Sequence, residues 1–208
     1  ANAYHDAGRL NEAIPLHEQN LEDRTRILGP HHPHTLASRN NLAETYRSAG
    51  RLDEAITLYE QNLTDRTRIL GPHHPDTLTS RNNLAGAYRA AGKLDEAITL
   101  NQQNLKDSED LLGPHHPDTL TSRNNLANAY YGGGRLDEAI TLFEQNLKDF
   151  EDLLGAHHPH SLLSRNNLAG AYRAAGRAEE AEALFETPSG SEDEQDGTEE
   201  DLDQETGD

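Results

Sequence analysis

The chain has 208 residues, a formal net charge of −19 and only 33% hydrophobic residues. An apolar share this low makes a poor single globular core, and the acidic balance argues against a nucleic-acid ligand, which demands a basic stripe. No run approaches the roughly 18 apolar residues that span a bilayer, and with no cysteine, hence no disulfide or thiolate metal site, and no charged-then-apolar leader, a cytoplasmic setting is expected.

Self-similarity organises the rest of the chain. His-His-Pro occurs at 31–33, 73–75, 115–117 and 157–159, and Arg-Asn-Asn-Leu-Ala at 39–43, 81–85, 123–127 and 165–169, so both recur every 42 residues. Segments 71–112 and 113–154 agree at 34 of 42 positions, which points to recent duplication. The chain opens on a partial unit, 1–30, in which Ala1, Tyr4, Gly8 and Arg9 align with Ala43, Tyr46, Gly50 and Arg51. It is therefore expected to start inside a helix, as the C-terminal fragment of a longer protein. Units 31–72, 73–114 and 115–156 follow, then a truncated unit 157–186 and a tail 187–208.

Each unit reads as two helices. In 73–114 the first spans about Pro75 to Ala91, with Leu78, Leu84, Ala85, Tyr88 and Ala91 on one face. Thr79, Asn83, Gly86 and Ala90 share the opposite face. Proline suits the first position, and Gly92, like Gly50, Gly134 and Gly176, supplies the left-handed residue that stops the helix. The second helix spans about Leu94 to Leu112. Asp95 and Glu96 suit its positive end, and Leu94, Ala97, Ile98, Leu105 and Leu112 form its apolar strip. Gly113-Pro114 closes it. In the first unit Pro15 falls within the early turns of a second helix, where a slight kink is expected.

Leu84-Ala85-x-x-Tyr88, then Gly92, then Glu96-Ala97-Ile98 resembles the tetratricopeptide signature. The 42-residue unit, with Leu-Gly-x-x-His-Pro between copies and Asn-Asn-Leu-Ala in the first helix, resembles the kinesin light chain variety. The resemblance covers residues 1 to about 186. It implies an all-α fold, a right-handed superhelical solenoid of antiparallel helix pairs, whose first helices line a concave surface that grips an extended or helical peptide. It does not extend to a heptad coiled coil, so nothing here docks a kinesin motor. Fifteen arginines against three lysines, with near-identical copies, give the chain a bacterial look. Bacterial relatives of this variety often carry signalling ATPase domains, which makes a sensor arm of such an ATPase the alternative function.

There are departures from the family pattern. Where it carries a small alanine late in the second helix, this chain has Asn20, Asn62, Asn104 and Asn146. The position of Tyr59 and Phe143 is His17 in the first copy and Asn101 in the third, so the layer around Asn101 is the expected weak internal contact. The fourth copy changes after Gly176 and stops at Thr187-Pro188, leaving a second helix of about half length. From Ser189 to Asp208 there are ten acidic residues and no basic ones, which predicts a disordered, solubilising tail. A sharper alternative makes this tail a pseudo-ligand for the groove.

The candidate partner-binding residues lie on the first helices. Asn40, Asn82, Asn124 and Asn166 sit beside Asn41, Asn83, Asn125 and Asn167 as a double amide ladder, able to pair with any peptide backbone. Arg47, Arg89 and Arg173 add cationic forks, with Tyr131 in the fourth place, so an acidic protein or peptide partner is expected. Glu44, Gly86, Asn128 and Gly170, together with Ala37, Thr79, Thr121 and Leu163, vary between copies and would set preference along the groove. Hydrogen bonding of the ladder to neighbouring helices is the competing, purely structural reading. Arg39, Arg81, Arg123 and Arg165 read as structural, their stems packed and their heads on a carboxylate. The paired histidines read as turn residues, because adjacent histidines rarely aim at one metal. No nucleophile elbow, phosphate loop or metalloprotease helix is present, and no cofactor or catalytic role is expected. Self-association through the uncapped N-terminal edge is a third possibility.

Overall fold

Apolar residues at helical spacing, stopped every 21 residues by a glycine of positive φ, build a chain of helices and turns among the described residues. The computed structural model describes residues 1–185; the expected acidic tail lies outside the described residues. The helices are α1 (Asn2–Asp6), α2 (Leu10–Leu28), α3 (Pro33–Ser48), α4 (Leu52–Leu70) and α5 (Pro75–Ala90). They continue as α6 (Leu94–Leu112), α7 (Pro117–Gly132), α8 (Leu136–Leu154), α9 (Pro159–Ala174) and α10 (Ala178–Ala183). Each packs on the next, giving an all-α solenoid of antiparallel pairs. Pro15 is exposed and α2 runs through it from Leu10 to Leu28.

Two kinds of turn join the helices, and each has its own glycine. After α5, Gly92 takes φ +73; its N–H bonds Arg89 O at 3.1 Å, and the N–H of Lys93 bonds Tyr88 O at 2.9 Å. That double closure is the Schellman stop, in which the residue after glycine folds back on the one three places before the cap. Here the contact is a cation over a ring: Arg51 over Tyr46, Arg135 over Tyr130 and Arg177 over Tyr172, at 4.2 to 4.4 Å. After α6, Gly113 instead takes φ 88, ψ 162, a region closed to side chains. The chain then reaches His116, whose ring Nδ1 accepts the N–H of Asp118 at 3.1 Å and so caps α7. His32, His74 and His158 cap α3, α5 and α9 in the same way.

The core is a seam of alanines and rings. Ala13, Ala55, Ala97, Ala139 and Ala181 have no exposed area, so successive helices close tightly on them. Tyr59 and Phe143 fill the space beside this row, each 1% exposed. His17 takes that place in α2, where burial pushes its imidazole below its ordinary value and favours the neutral ring. Asn101 takes it in α6, and there the apolar core divides. One cluster runs from Ile14 to Leu84 and Ala87, the other from Ala97 and Ile98 to Ala181. The substitution of an amide for a ring interrupts the seam at the third unit.

Polar groups inside are mostly paired. Arg39 donates to Asp65 at 2.6 Å and Arg81 to Asp107 at 2.5 Å; Arg123 pairs with Asp149 and Arg165 with Glu151. The first three also reach the proline carbonyl of the preceding turn, at 3.1 to 3.4 Å. His31, His73 and His115 stand 3.4 to 3.6 Å from the same aspartates. Three asparagines are exceptions: among the described residues the fully buried Asn62 and Asn146 make no side-chain hydrogen bond, and Asn101 leaves its Oδ1 unpaired.

The expected apolar strip of the second helix differs at its end. Ala97 and Ile98 are buried, Leu94 and Leu105 half-buried, and Leu112 is 37% exposed. The exposed end recurs in α2, α4 and α8, because the last turn of each long second helix projects past the shorter first helix. Ile27-Leu28, Ile69-Leu70, Leu111-Leu112 and Leu153-Leu154 all lie at 37% exposure or more, forming an apolar row along one edge.

Candidate partner-binding face

The first helices of successive units approach one another directly: α5 touches α7, and the amides of this face bond across layers. Asn83 Nδ2 donates to Asn40 Oδ1 at 2.8 Å, and Asn167 Nδ2 to Asn124 Oδ1 at 2.9 Å. The ladder thus ties neighbouring units together. Each such pair still leaves one amide donor (on Asn40 or Asn124) and one carbonyl oxygen (on Asn83 or Asn167) without a side-chain partner among the described residues.

The intervening layer is wired differently. Asn82 Oδ1 accepts from Asn104 Nδ2 at 2.7 Å, and the Asn125 carbonyl receives Asn101 Nδ2 at 3.4 Å. Asn128 folds onto its own helix, donating to Asn124 O at 2.8 Å. Asn41 and Asn166 are exposed, whereas the other six ladder residues are half-buried.

The three expected cationic forks separate into two kinds. Arg47 is gripped by Glu44, through Nε at 2.9 Å and Nη2 at 2.5 Å, and Tyr59 donates its hydroxyl to the same carboxylate at 2.8 Å. Burial opposes charge on Glu44, but the Arg47 and Tyr59 hydrogen bonds together outweigh it and hold the carboxyl below its ordinary value. Glu44 has no acidic counterpart in the other copies, where Gly86, Asn128 and Gly170 stand. Arg89 and Arg173 are therefore exposed with no ion-pair partner among the described residues, and Tyr131 is 41% exposed between them in the series.

Two features of this face escaped sequence reasoning. The first is a clasp between each second helix and the first helix that follows: Tyr46 donates to Glu18 at 2.5 Å, Tyr88 to Glu60 at 2.6 Å and Tyr172 to Glu144 at 2.6 Å. In the third copy Gln102 reverses the direction and donates to Tyr130 at 2.8 Å. The second is a cavity of about 260 Å³ between α5, α6 and α7, lined by Leu78, Thr79, Asn82, Ser108, Leu111 and Thr121, among others. The corresponding positions are Arg24, Arg66 and Phe150. The arginines reach the next helix, at His34 O and Asp76 O, and Phe150 stacks on His160 with centroids 5.5 Å apart. Ser108 is too short for either contact. The column Arg, Arg, Ser, Phe was the signal that could have located this hollow.

Among the described residues no group of three or more His, Asp or Glu side chains is placed to hold a metal ion, and no helix is long and apolar enough to cross a membrane.

A family profile described as tetratricopeptide repeat matches residues 1–64, 37–106, 81–152 and 125–187. Among solved structures, the chain is similar to nearly identical TPR-like repeats from Podospora anserina, in a protein described as a kinesin light chain. The two share 36% identity over 88% of this chain and 87% of that one, with a TM-score of 0.78; a variant of the same protein gives 0.79. BtubC (BKLC) from P. vanneervenii matches at 26% identity and a TM-score of 0.74, covering 88% of this chain and 73% of that one. No curated protein matches.

Proposed function

The chain belongs to the tetratricopeptide repeat family and is a protein–protein interaction scaffold; from that premise we propose that the α3, α5, α7 and α9 face holds an acidic segment of a protein partner. The observation that carries this reading is the contrast between Arg47, already neutralised by Glu44, and Arg89 and Arg173, which are exposed and unpaired among the described residues on a chain of net charge −19. A guanidinium matches a carboxylate with two parallel hydrogen bonds, so each free arginine is a docking point for Asp or Glu. The spare amide donors and acceptors of the asparagine ladder would hold the peptide backbone between them. Glu44 would make the N-terminal end of the face less welcoming to acid, giving the bound segment a direction. A cytoplasmic setting fits the cysteine-free composition.

The test is a fluorescence titration with labelled acidic peptides, comparing the wild type with Arg89→Glu/Arg173→Glu. Both side chains are exposed, so the variant should fold, as its thermal melt would show. Loss of binding at unchanged melting temperature is expected; unchanged affinity would remove the arginines from the site. Asparagine substitutions discriminate less well, because Asn83 and Asn167 also join the layers.

A further inference from the structure

The apolar row along the solenoid edge carries a charge pattern that changes sign halfway. The residue just before each exposed pair is Arg26, Arg68, Asp110 and Asp152 in turn. Arg26 and Arg68 are 72% and 59% exposed in their side chains, and both aspartates are exposed with no ion-pair partner among the described residues. Arg26 leans on Asp23 at 2.9 Å, and Arg68 meets His31 Nε2 at 2.9 Å and Asp65, already held by Arg39, at 3.4 Å; both guanidinium groups keep open N–H groups toward solvent. Glu109 and Glu151 stand beside the acidic positions, while Lys106 and Lys148 lie a full turn further from the edge.

Helix electrostatics does not account for this pattern. The C-terminal end of a helix carries partial negative charge, which arginine relieves and aspartate aggravates. α2 and α4 obey that preference; α6 and α8 contradict it, with no basic residue in the last turn. The two halves of one near-identical repeat array have thus acquired opposite signs at the one place where the fold exposes aliphatic side chains in a row.

We propose that this edge is a self-complementary surface on which two copies of the chain pair antiparallel, about a two-fold axis between α4 and α6. In that arrangement Arg26 faces Asp152 of the second copy and Arg68 faces Asp110. Because all units share one 42-residue register, the spacing along the edge is the same in both directions and one alignment satisfies all four pairs. A parallel arrangement would set like charges opposite one another. The hollow beside Ser108 adjoins Leu111 and Leu112, and the two-fold axis brings the α4 end of the second copy, with its exposed Ile69, over it. The eight half-exposed aliphatic side chains make a patch on the order of 600 Å², at the upper end for a monomer. Covered from both sides, such a patch gives an interface near the small end of stable ones. The net charge of −19 on each copy does not forbid pairing. At ionic strength near 0.15 M the Debye length is about 8 Å, so distant like charges are screened while pairs in contact are not.

The experiment is sedimentation velocity over a concentration series of the full chain at that ionic strength. The wild type is expected to dimerise reversibly, with a Kd on the order of 10 µM, so that its sedimentation coefficient rises across the series. Arg26→Glu/Arg68→Glu makes the whole edge acidic, Asp110→Arg/Asp152→Arg makes it basic, and each alone should stay monomeric. An equimolar mixture of the two should form heterodimers, which shows at once that both variants are folded and that charge, not shape, was lost. Ser108→Phe, which fills the hollow with the ring present at Phe150, should weaken the wild-type dimer several-fold. A wild type that stays monomeric throughout the series overturns the proposal and leaves the edge to a foreign protein. So does an all-acidic variant that still pairs with itself.

Discussion

Asn101 occupies a space that Tyr59 and Phe143 fill with a ring, at 4% exposure and with its Oδ1 lacking a protein hydrogen bond. Replacing it with phenylalanine restores apolar burial and removes an unpaired polar atom. Asn101→Phe is expected to raise stability by about 1–3 kcal/mol, measured by thermal or urea denaturation. The tyrosine clasps give a second test. Burial first, then the hydrogen bond to Glu18, pushes the Tyr46 hydroxyl up to about 12, and Tyr88 and Tyr172 rise to about 12 for the same reasons with Glu60 and Glu144. An unfolded tyrosine titrates near 10. The folded state therefore holds these protons more tightly, and the stability this confers is complete below pH 10 and lost as the pH rises toward 12. Unfolding midpoints should fall over that window, and more gently in a Tyr46→Phe/Tyr88→Phe/Tyr172→Phe variant. At this scale the aligned copies revealed the weak position at Asn101, because a ring and an amide shared a column. They did not reveal that Glu44 captures Arg47, since the residue that matters is present in one copy only.

At the scale of the helix, glycine has opposite meanings at two positions of one unit. Gly86 lies inside α5 with open space where a Cβ would project, so Gly86→Ala should stabilise by about 0.5–1 kcal/mol through the unfolded chain alone. Gly113 also has open space, but its φ of 88 with ψ 162 excludes a side chain, and Gly113→Ala should cost about 1–3 kcal/mol. Denaturation of the two single variants, side by side, separates conformational strain from crowding. Helix extents were legible because stops and periodicity agree: the expected Leu94–Leu112 is the observed α6, and the first helix ends one residue before Ala91. Burial at the helix ends was not. Leu112 continues the apolar strip in sequence, yet a helix of 19 residues packed on helices of 16 leaves its last turn without a neighbour. The role of His116 and its equivalents as caps was equally hidden, because an imidazole accepting through Nδ1 is not among the usual capping residues.

For the molecule as a whole, the apolar core divides near Asn101 into two clusters, one in α2 to α5 and the other in α6 to α10. A solenoid is stabilised by nearest-neighbour contacts, so a weak layer in the middle uncouples its ends. Native-state hydrogen exchange should show two groups of amides with distinct opening energies, meeting near α5 and α6, and Asn101→Phe should bring them together. A single protection level across all helices in the wild type would mean that the polar pairs around Arg81 and Asn104 bridge the gap unaided. The all-α, paired-helix architecture was readable from the 42-residue period. Which way the ladder amides turn was not, since Asn83 faces a neighbouring unit that carries the same residues as its own.

The recurring bonds between helices, Arg81 to Asp107, Tyr88 to Glu60 and Asn83 to Asn40, join residues 26, 28 and 43 positions apart. None spans more than about one unit. Removing residues 73–114 from the gene would therefore bring Asn125 to Asn40 and Tyr130 to Glu60, re-forming at the junction the kinds of contact that were cut. Unequal recombination between two near-identical stretches of coding sequence would add or delete floors of the same building, and each product would inherit a complete set of joints. Length in this protein is a quantity that heredity can adjust in whole steps, without first discovering a new way to fold.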